Sequence, residues 1–143
     1  MPKPLGYKAS ASHCFRDDSV DALADGLEPA RSNDETIPRM TWWDHRGTKE
    51  WAQFDFDQPK EISAVEVYWF DDTGKGDCRI PKSWRLLYQD DLQWKPVPNP
   101  VSTAVTKDQW NRMRFRPLKS SALRIEAELQ DNFSGGILEW RVR

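Results

Sequence analysis

The chain has only two cysteines, Cys14 and Cys78, and no Cys-x-x-Cys pair. That excludes a zinc ribbon and thioredoxin-like redox chemistry. Two separate, partly buried thiols are the simpler reading. A disulfide in an exported chain is the alternative, and it needs a Cα spacing that spacing in sequence does not supply. A basic excess is also missing: 21 Lys and Arg face 23 Asp and Glu, for a net charge of −2. Neither nucleic acid nor an anionic membrane surface is therefore an expected partner. No apolar run approaches the roughly 20 residues of a membrane helix. The opening Met1-Pro2-Lys3-Pro4-Leu5-Gly6 lacks the apolar segment of a secretory signal. Such a start fits an intracellular protein or a domain boundary within a longer secreted chain.

Catalytic patterns are equally scarce. The two histidines, His13 and His45, lie far apart in sequence, with no nucleophile elbow and no His-Glu-x-x-His. Gly74-Lys75-Gly76 does not continue into the Lys-Ser or Lys-Thr of a phosphate loop. The adjacent carboxylates Asp17-Asp18, Asp71-Asp72 and Asp90-Asp91 read as turns, because neighbours on a strand point to opposite sides and cannot share acid–base work. No enzymatic activity is expected of this chain.

What the sequence does have is aromatic bulk. Eight Trp and six Phe offset a mean hydropathy of −0.82, and disorder needs few aromatics. The length, 143 residues, suits one domain able to bury roughly 68–70% of its unfolded surface. Residues 7–143 are expected to form it, with 1–6 as a flexible stub or linker.

Alternation predicts eight strands: 7–12, 51–56, 62–70, 84–88, 94–97, 111–115, 123–129 and 137–142. Ala52, Phe54 and Phe56 share a face, as do Val65, Val67 and Trp69, and as do Leu138, Trp140 and Val142. Ser19 can cap a single helical turn through Val20, Ala22 and Leu23. The stretch Leu27 to Met40, with Pro29 and Pro38, blocks both helix and central strand. A loop that long usually has a job or a ligand to order it. Many short strands with almost no helix imply an all-β fold, an antiparallel β-sandwich or jelly roll.

Two stretches organise the rest: Trp42 to Phe56, and Val65 to Tyr88. Each joins a core-building strand to a loop rich in aromatics, Asp, Arg and His. A sugar has an apolar C–H face for a ring to cover and hydroxyl edges for charged groups to bind. Trp42, Trp43, His45, Trp69, Phe70, Asp71, Asp72, Arg79 and Phe133 are the candidate glycan platform. Trp residues are also building material. Trp51, Trp84, Trp94 and Trp140 sit in strands and read as core, and for Trp42, Trp43 and Trp69 both readings stand. Arg79 could instead bridge Asp71 or Asp72 and stiffen the loop.

The order of these pieces resembles the coagulation-factor type C, or discoidin, family. The matching residues begin with Ala9-Ser10-Ala11-Ser12, Ala24-Asp25-Gly26, Thr41-Trp42 and Glu50-Trp51-Ala52-Gln53-Phe54-Asp55-Phe56 with Pro59. They continue through Ile62 to Val67, Pro81 to Leu86, Asp91 with Trp94 to Val97, Ala122 to Glu126, and Gly136-Ile137-Leu138-Glu139-Trp140. The longer loop before Thr41 and the elaborate Trp69 to Ile80 segment depart from the pattern. Those features are similar to accessory modules of bacterial β-L-arabinofuranosidase-like glycoside hydrolases. The resemblance implies a galactose-binding-like sandwich and a non-catalytic carbohydrate-binding module. Its partners would be a plant or host polysaccharide and a catalytic domain in a longer, secreted or periplasmic bacterial protein. A structural accessory domain that binds no sugar is the alternative. The resemblance also implies a structural Ca²⁺. Asp25 and Glu139 would give carboxylates, Ala22, Leu27 and Leu138 backbone carbonyls, and Ser32 or Thr41 a hydroxyl, in keeping with the hard-oxygen preference of that ion.

Overall fold

A computed structural model describes residues 6–143. Apart from Gly6, the expected N-terminal stub lies outside the described residues. The strands are β1 (Tyr7–Ala11), β2 (Met40–Thr41), β3 (Lys49–Phe70), β4 (Ser83–Asp90), β5 (Gln93–Pro96), β6 (Asn111–Glu128) and β7 (Gly136–Val142). All pair antiparallel, in the order β2-β7-β3-β6-β4-β5, with β1 on β3.

Two long strands turn this single sheet into a sandwich. The first half of β3 pairs with β1 and with the second half of β6, Lys49 opposite Glu128. Its second half pairs with β7 and with the first half of β6, Val67 opposite Asn111. The register shifts between Asp55 and Lys60 and again between Ile62 and Ala64, where the strand passes from one layer to the other. The sequence predicted two strands on each side of these corners. Pro59 does not end β3, because it sits exposed at the bend, where its missing N–H costs no ladder bond. Pro117 is likewise exposed within β6.

The core lies between the layers, where Phe54 stacks on Trp140 at 4.0 Å and Trp69 meets Trp84 edge-on at 5.6 Å. The expected inner sets on β3 are buried there, except that Phe56 is only half-buried, and Leu123, Ile125 and Ala127 of β6 join them. Two expectations need correction. Trp51 and Trp94 are not core: they are half-buried and flank the Arg124 guanidinium at 4.2 and 4.4 Å. Leu138 does not share a face with Trp140. The register skips it, pairing Tyr68 with Glu139 and Trp69 with Ile137. The bulge turns Leu138 outward, into a second cluster with Tyr68, Phe70 and Cys78.

The irregular 27–39 stretch packs over that second cluster through Ile37 and Arg39, so its job includes covering a sheet face. The Ser19-capped turn is present as a 3-10 helix, Val20–Ala24. Cys14 and Cys78 are both free, and burial pushes the Cys78 thiol up to about 12. Among the described residues no helix is long and apolar enough to cross a membrane.

Gly136 makes β2 possible. A Cβ there would stand 2.4 Å from the Met40 carbonyl oxygen, which is backbone and cannot swing away. Gly136→Ala is therefore expected to cost about 1–3 kcal/mol by forcing β2 off β7. Equilibrium urea unfolding checks this, and an unchanged midpoint would count against the contact.

Candidate functional site

Four loops meet at one end of the sandwich: 12–19 after β1, 42–48 after β2, 71–82 after β3 and 129–135 after β6. Backbone hydrogen bonds tie them together. The Trp42 N–H donates to the Gly135 carbonyl at 2.9 Å, Gly47 to Phe133 at 3.0 Å, Arg79 to Ser134 at 3.0 Å and Phe15 to Thr41 at 3.0 Å. The rim is thus a fixed frame for the side chains it carries.

A pocket of about 190 Å³ opens there. Its aromatic walls are Phe15, Trp43 and Phe70, and its polar edge is Asp18, Arg39, Asp72 and Asp77. A second hollow of about 260 Å³, beside Ile37 and Pro38, shares Asp18 and Arg39 with it. The polar groups are held in place. Arg39 lies over the Phe70 ring at 4.8 Å and 3.7 Å from Asp18, which also accepts from the Thr41 hydroxyl. Arg46 covers one side of Trp43 at 4.6 Å and donates to Asp77 at 3.0 Å.

Of the nine expected glycan residues, the structure brings Trp43, Phe70 and Asp72 to this pocket. The other six do not line it. Trp42 and Trp69 are fully buried, so no ring face is open to a ligand, and Phe70 is itself only 1% exposed. The buried Asp71 carboxylate serves the loop. Burial opposes its ionisation, but hydrogen bonds from the Thr73 hydroxyl, the Thr73 N–H and the Ile80 N–H outweigh that and hold it below its usual range. Arg79 stiffens the loop, as its alternative reading had it. It donates to the Gly76 and Cys78 carbonyls, stands 3.8 Å from Asp72 and stacks on Phe133 at 4.3 Å.

His45 stacks on His13 at 3.8 Å, although the two are distant in sequence. Its Nδ1 is 2.8 Å from the buried Glu50 carboxylate, while His13 Nε2 is 2.8 Å from the Trp43 carbonyl. Burial works against the Glu50 charge. The Ser12 and Thr48 hydroxyls and His45 more than compensate and lower its pKa. This cluster braces the Trp43 backbone from behind. Sequence reasoning missed Phe15, Asp18, Arg39 and Asp77. Asp18 read only as a turn residue and Arg39 lay in an irregular stretch, so no local pattern marks either.

A second polar centre lies where the 3-10 helix meets β7. Glu139 is 2% exposed and accepts the Gly26 N–H at 3.0 Å. Burial, then the Asp25 carboxylate beside it, push Glu139 up to about 8. Asp25 Oδ2 and Glu139 Oε1 are buried with no hydrogen-bond partner. Two carboxylates with unsatisfied buried oxygens fit a hard cation. Among the described residues no three His, Cys, Asp or Glu side chains converge, so further ligands would have to be backbone carbonyls. Ser32 is a poor hydroxyl donor for such an ion: its Oγ accepts the Asp108 N–H at 2.8 Å and its N–H donates to the Asp108 carboxylate. Thr41 is committed to Asp18.

Comparison with known proteins follows the same lines. The F5/8 type C domain family matches residues 8–140. No curated protein matches the chain by sequence. Among solved structures, one from a Streptococcus pneumoniae beta-galactosidase superposes with TM-score 0.80 at 22% identity, over 97% of this chain and 90% of that one. A family 32 carbohydrate-binding module from C. perfringens, in complex with galactose, gives 0.69 at 12% identity, over 95% and 92%. A chitosan-binding module from a Paenibacillus chitosanase/glucanase, in complex with chitotriose, gives 0.68 at 16%, over 96% and 96%. These likenesses show a galactose-binding-like β-sandwich.

Proposed function

The chain belongs to the F5/8 type C domain family, and from that premise we propose that it is a non-catalytic carbohydrate-binding module. The observation that carries the reading is the rim pocket, with aromatic side chains on its walls and carboxylates and a guanidinium on its edge. At about 190 Å³ it is smaller than the roughly 300 Å³ of ordinary small-molecule sites, a size suited to one sugar ring at the end or side of a glycan. Structural neighbours solved with galactose and with chitotriose support the class of ligand. The module serves a glycoside hydrolase in a longer secreted bacterial chain, holding it near plant or host polysaccharide.

The competing reading, a packing domain with no sugar site, would have all three of Trp42, Trp43 and Trp69 stowed away. Trp42 and Trp69 are, but Trp43 lines the pocket. Binding to a single sugar should be weak, with Kd from mM to tens of μM, about −4 to −6 kcal/mol. Trp43→Ala is expected to weaken it by about tenfold or more while the fold survives. Titration followed by intrinsic Trp fluorescence and by calorimetry checks this. Equal affinity in the variant would remove Trp43 from the site, and silence across a glycan array at mM sugar would favour the packing domain.

A structural calcium ion is part of the proposal. Asp25 and Glu139 would supply its carboxylates, and the carbonyls of Ala22, Leu27 and Leu138 would add further hard oxygens. The support is the pair of buried, unpartnered carboxylate oxygens. Bound there, the ion would tie the 3-10 helix and its following turn to β7.

A further inference from the structure

We propose that the rim pocket selects a sugar bearing a protonated amine over its neutral and carboxylated counterparts. This rests on reading the pocket as the glycan site. The argument is the balance of free acceptors and donors around one small cavity with aromatic walls. Three carboxylates, Asp18, Asp72 and Asp77, face it, against one guanidinium, Arg39.

Each carboxylate keeps an oxygen without a hydrogen bond among the described residues. Asp72 uses Oδ1 to accept the Cys78 N–H at 2.8 Å. Its Oδ2 lies over Gly76, where an added Cβ would come within 2.3 Å of it, so the glycine leaves that oxygen its place at the pocket wall. Asp77 Oδ2 accepts from Arg46, which leaves Oδ1 free. Asp18 Oδ2 accepts from the Thr41 hydroxyl, and its Oδ1 stands 3.7 Å from Arg39. The cations that offset Asp72 and Asp77 do not line the cavity. Arg79 is turned to loop carbonyls and Arg46 lies on Trp43. Arg39 is spread over the Phe70 ring beside Asp18 and is already partly neutralised.

A ligand entering this space therefore meets more free acceptors than free donors, since each carboxylate is paired with a guanidinium yet only that of Arg39 lines the cavity. A protonated amine can donate to two of the free carboxylate oxygens through charge-assisted hydrogen bonds. A hydroxyl in its place makes neutral-donor bonds, and a carboxylate meets like charge.

The test compares galactosamine, galactose, galacturonic acid and N-acetylgalactosamine, with their gluco counterparts, at low ionic strength and about pH 6, below the usual range for an amine. The expected order is amine, then neutral sugar, then acid. The amine should bind about tenfold tighter than the neutral sugar, or about 1.4 kcal/mol. N-acetylation, which removes the charge and keeps the nitrogen, should erase that advantage, and added salt should shrink it. In Asp72→Asn/Asp77→Asn the amine-to-neutral ratio should fall toward one. Equal binding of amine and neutral sugar, or the acid binding first, overturns the selectivity while leaving a sugar site in place. No binding of any class overturns both. The comparison of the amine with its N-acetyl form uses the unaltered chain and decides the matter even if the double variant does not fold.

Discussion

With calcium chelated, the melting temperature is expected to fall as pH rises from 5 to 8, and added calcium is expected to restore it most strongly at the alkaline end. The ion-free slope comes from Glu139. Its carboxyl is lifted from an ordinary 4.5 to about 8 by burial and by Asp25. The folded chain therefore holds this proton more tightly than the unfolded chain does. The contribution is complete below the unfolded value and is lost as pH climbs to the folded one. The lost stability is on the order of 4 kcal/mol, which corresponds to a melting shift on the order of 10 °C. Calcium reverses the trend because it needs both carboxylates ionised, and a thousandfold excess over Kd returns about 4 kcal/mol. Glu139→Gln should flatten the ion-free slope, melt above the parent at pH 8 in chelator, and ignore calcium. Differential scanning calorimetry with and without chelator reads all of this. A chelated protein with a level profile and no calcium response would remove the ion from the account.

Trp69→Ala is expected to destabilise the fold by about 3–5 kcal/mol, much more than Trp43→Ala. Trp69 is wholly buried on the second half of β3 and meets Trp84 from the other layer edge-on. Its truncation opens a cavity where the two layers touch, and neighbours on continuous strands cannot collapse to fill it. Equilibrium denaturation of the two variants side by side separates a structural indole from a ligand-facing one. A loss below about 1 kcal/mol for Trp69→Ala would mean that the layer contact is softer than its burial implies.

That contrast also marks how much of the molecule was legible in the sequence. The inward sets were, because period two is a local property; Trp69 falls in phase with Val65 and Val67, but its place where the strand runs into a loop left both readings open, and its burial decides between them. Trp42 and Trp43 are adjacent in a loop, where no period decides which one turns in. Their fates depend on Gly135 and His13, remote in sequence, and on Arg46 and His45 folding back within the same loop. The corners of β3 and β6 were hidden for a related reason. Proline stops a central ladder, but at an exposed bend it interrupts nothing, and exposure is a tertiary fact. Asp18 and Arg39 become pocket residues only once loops far apart in the chain are brought to one rim.

Because β3 and β6 each run through both layers, the two halves of the sandwich cannot melt one at a time. Losing the pairing in either layer releases a strand that the other layer also needs. The same continuity governs biosynthesis. β3 leaves the ribosome with β1 and β2 already made, yet its main partner, residues 111–128, is still untranslated. Assembly of the sheet therefore waits for the last third of the polypeptide, and non-local pairing of this kind places folding in the millisecond-to-second regime, well behind helical domains of similar size.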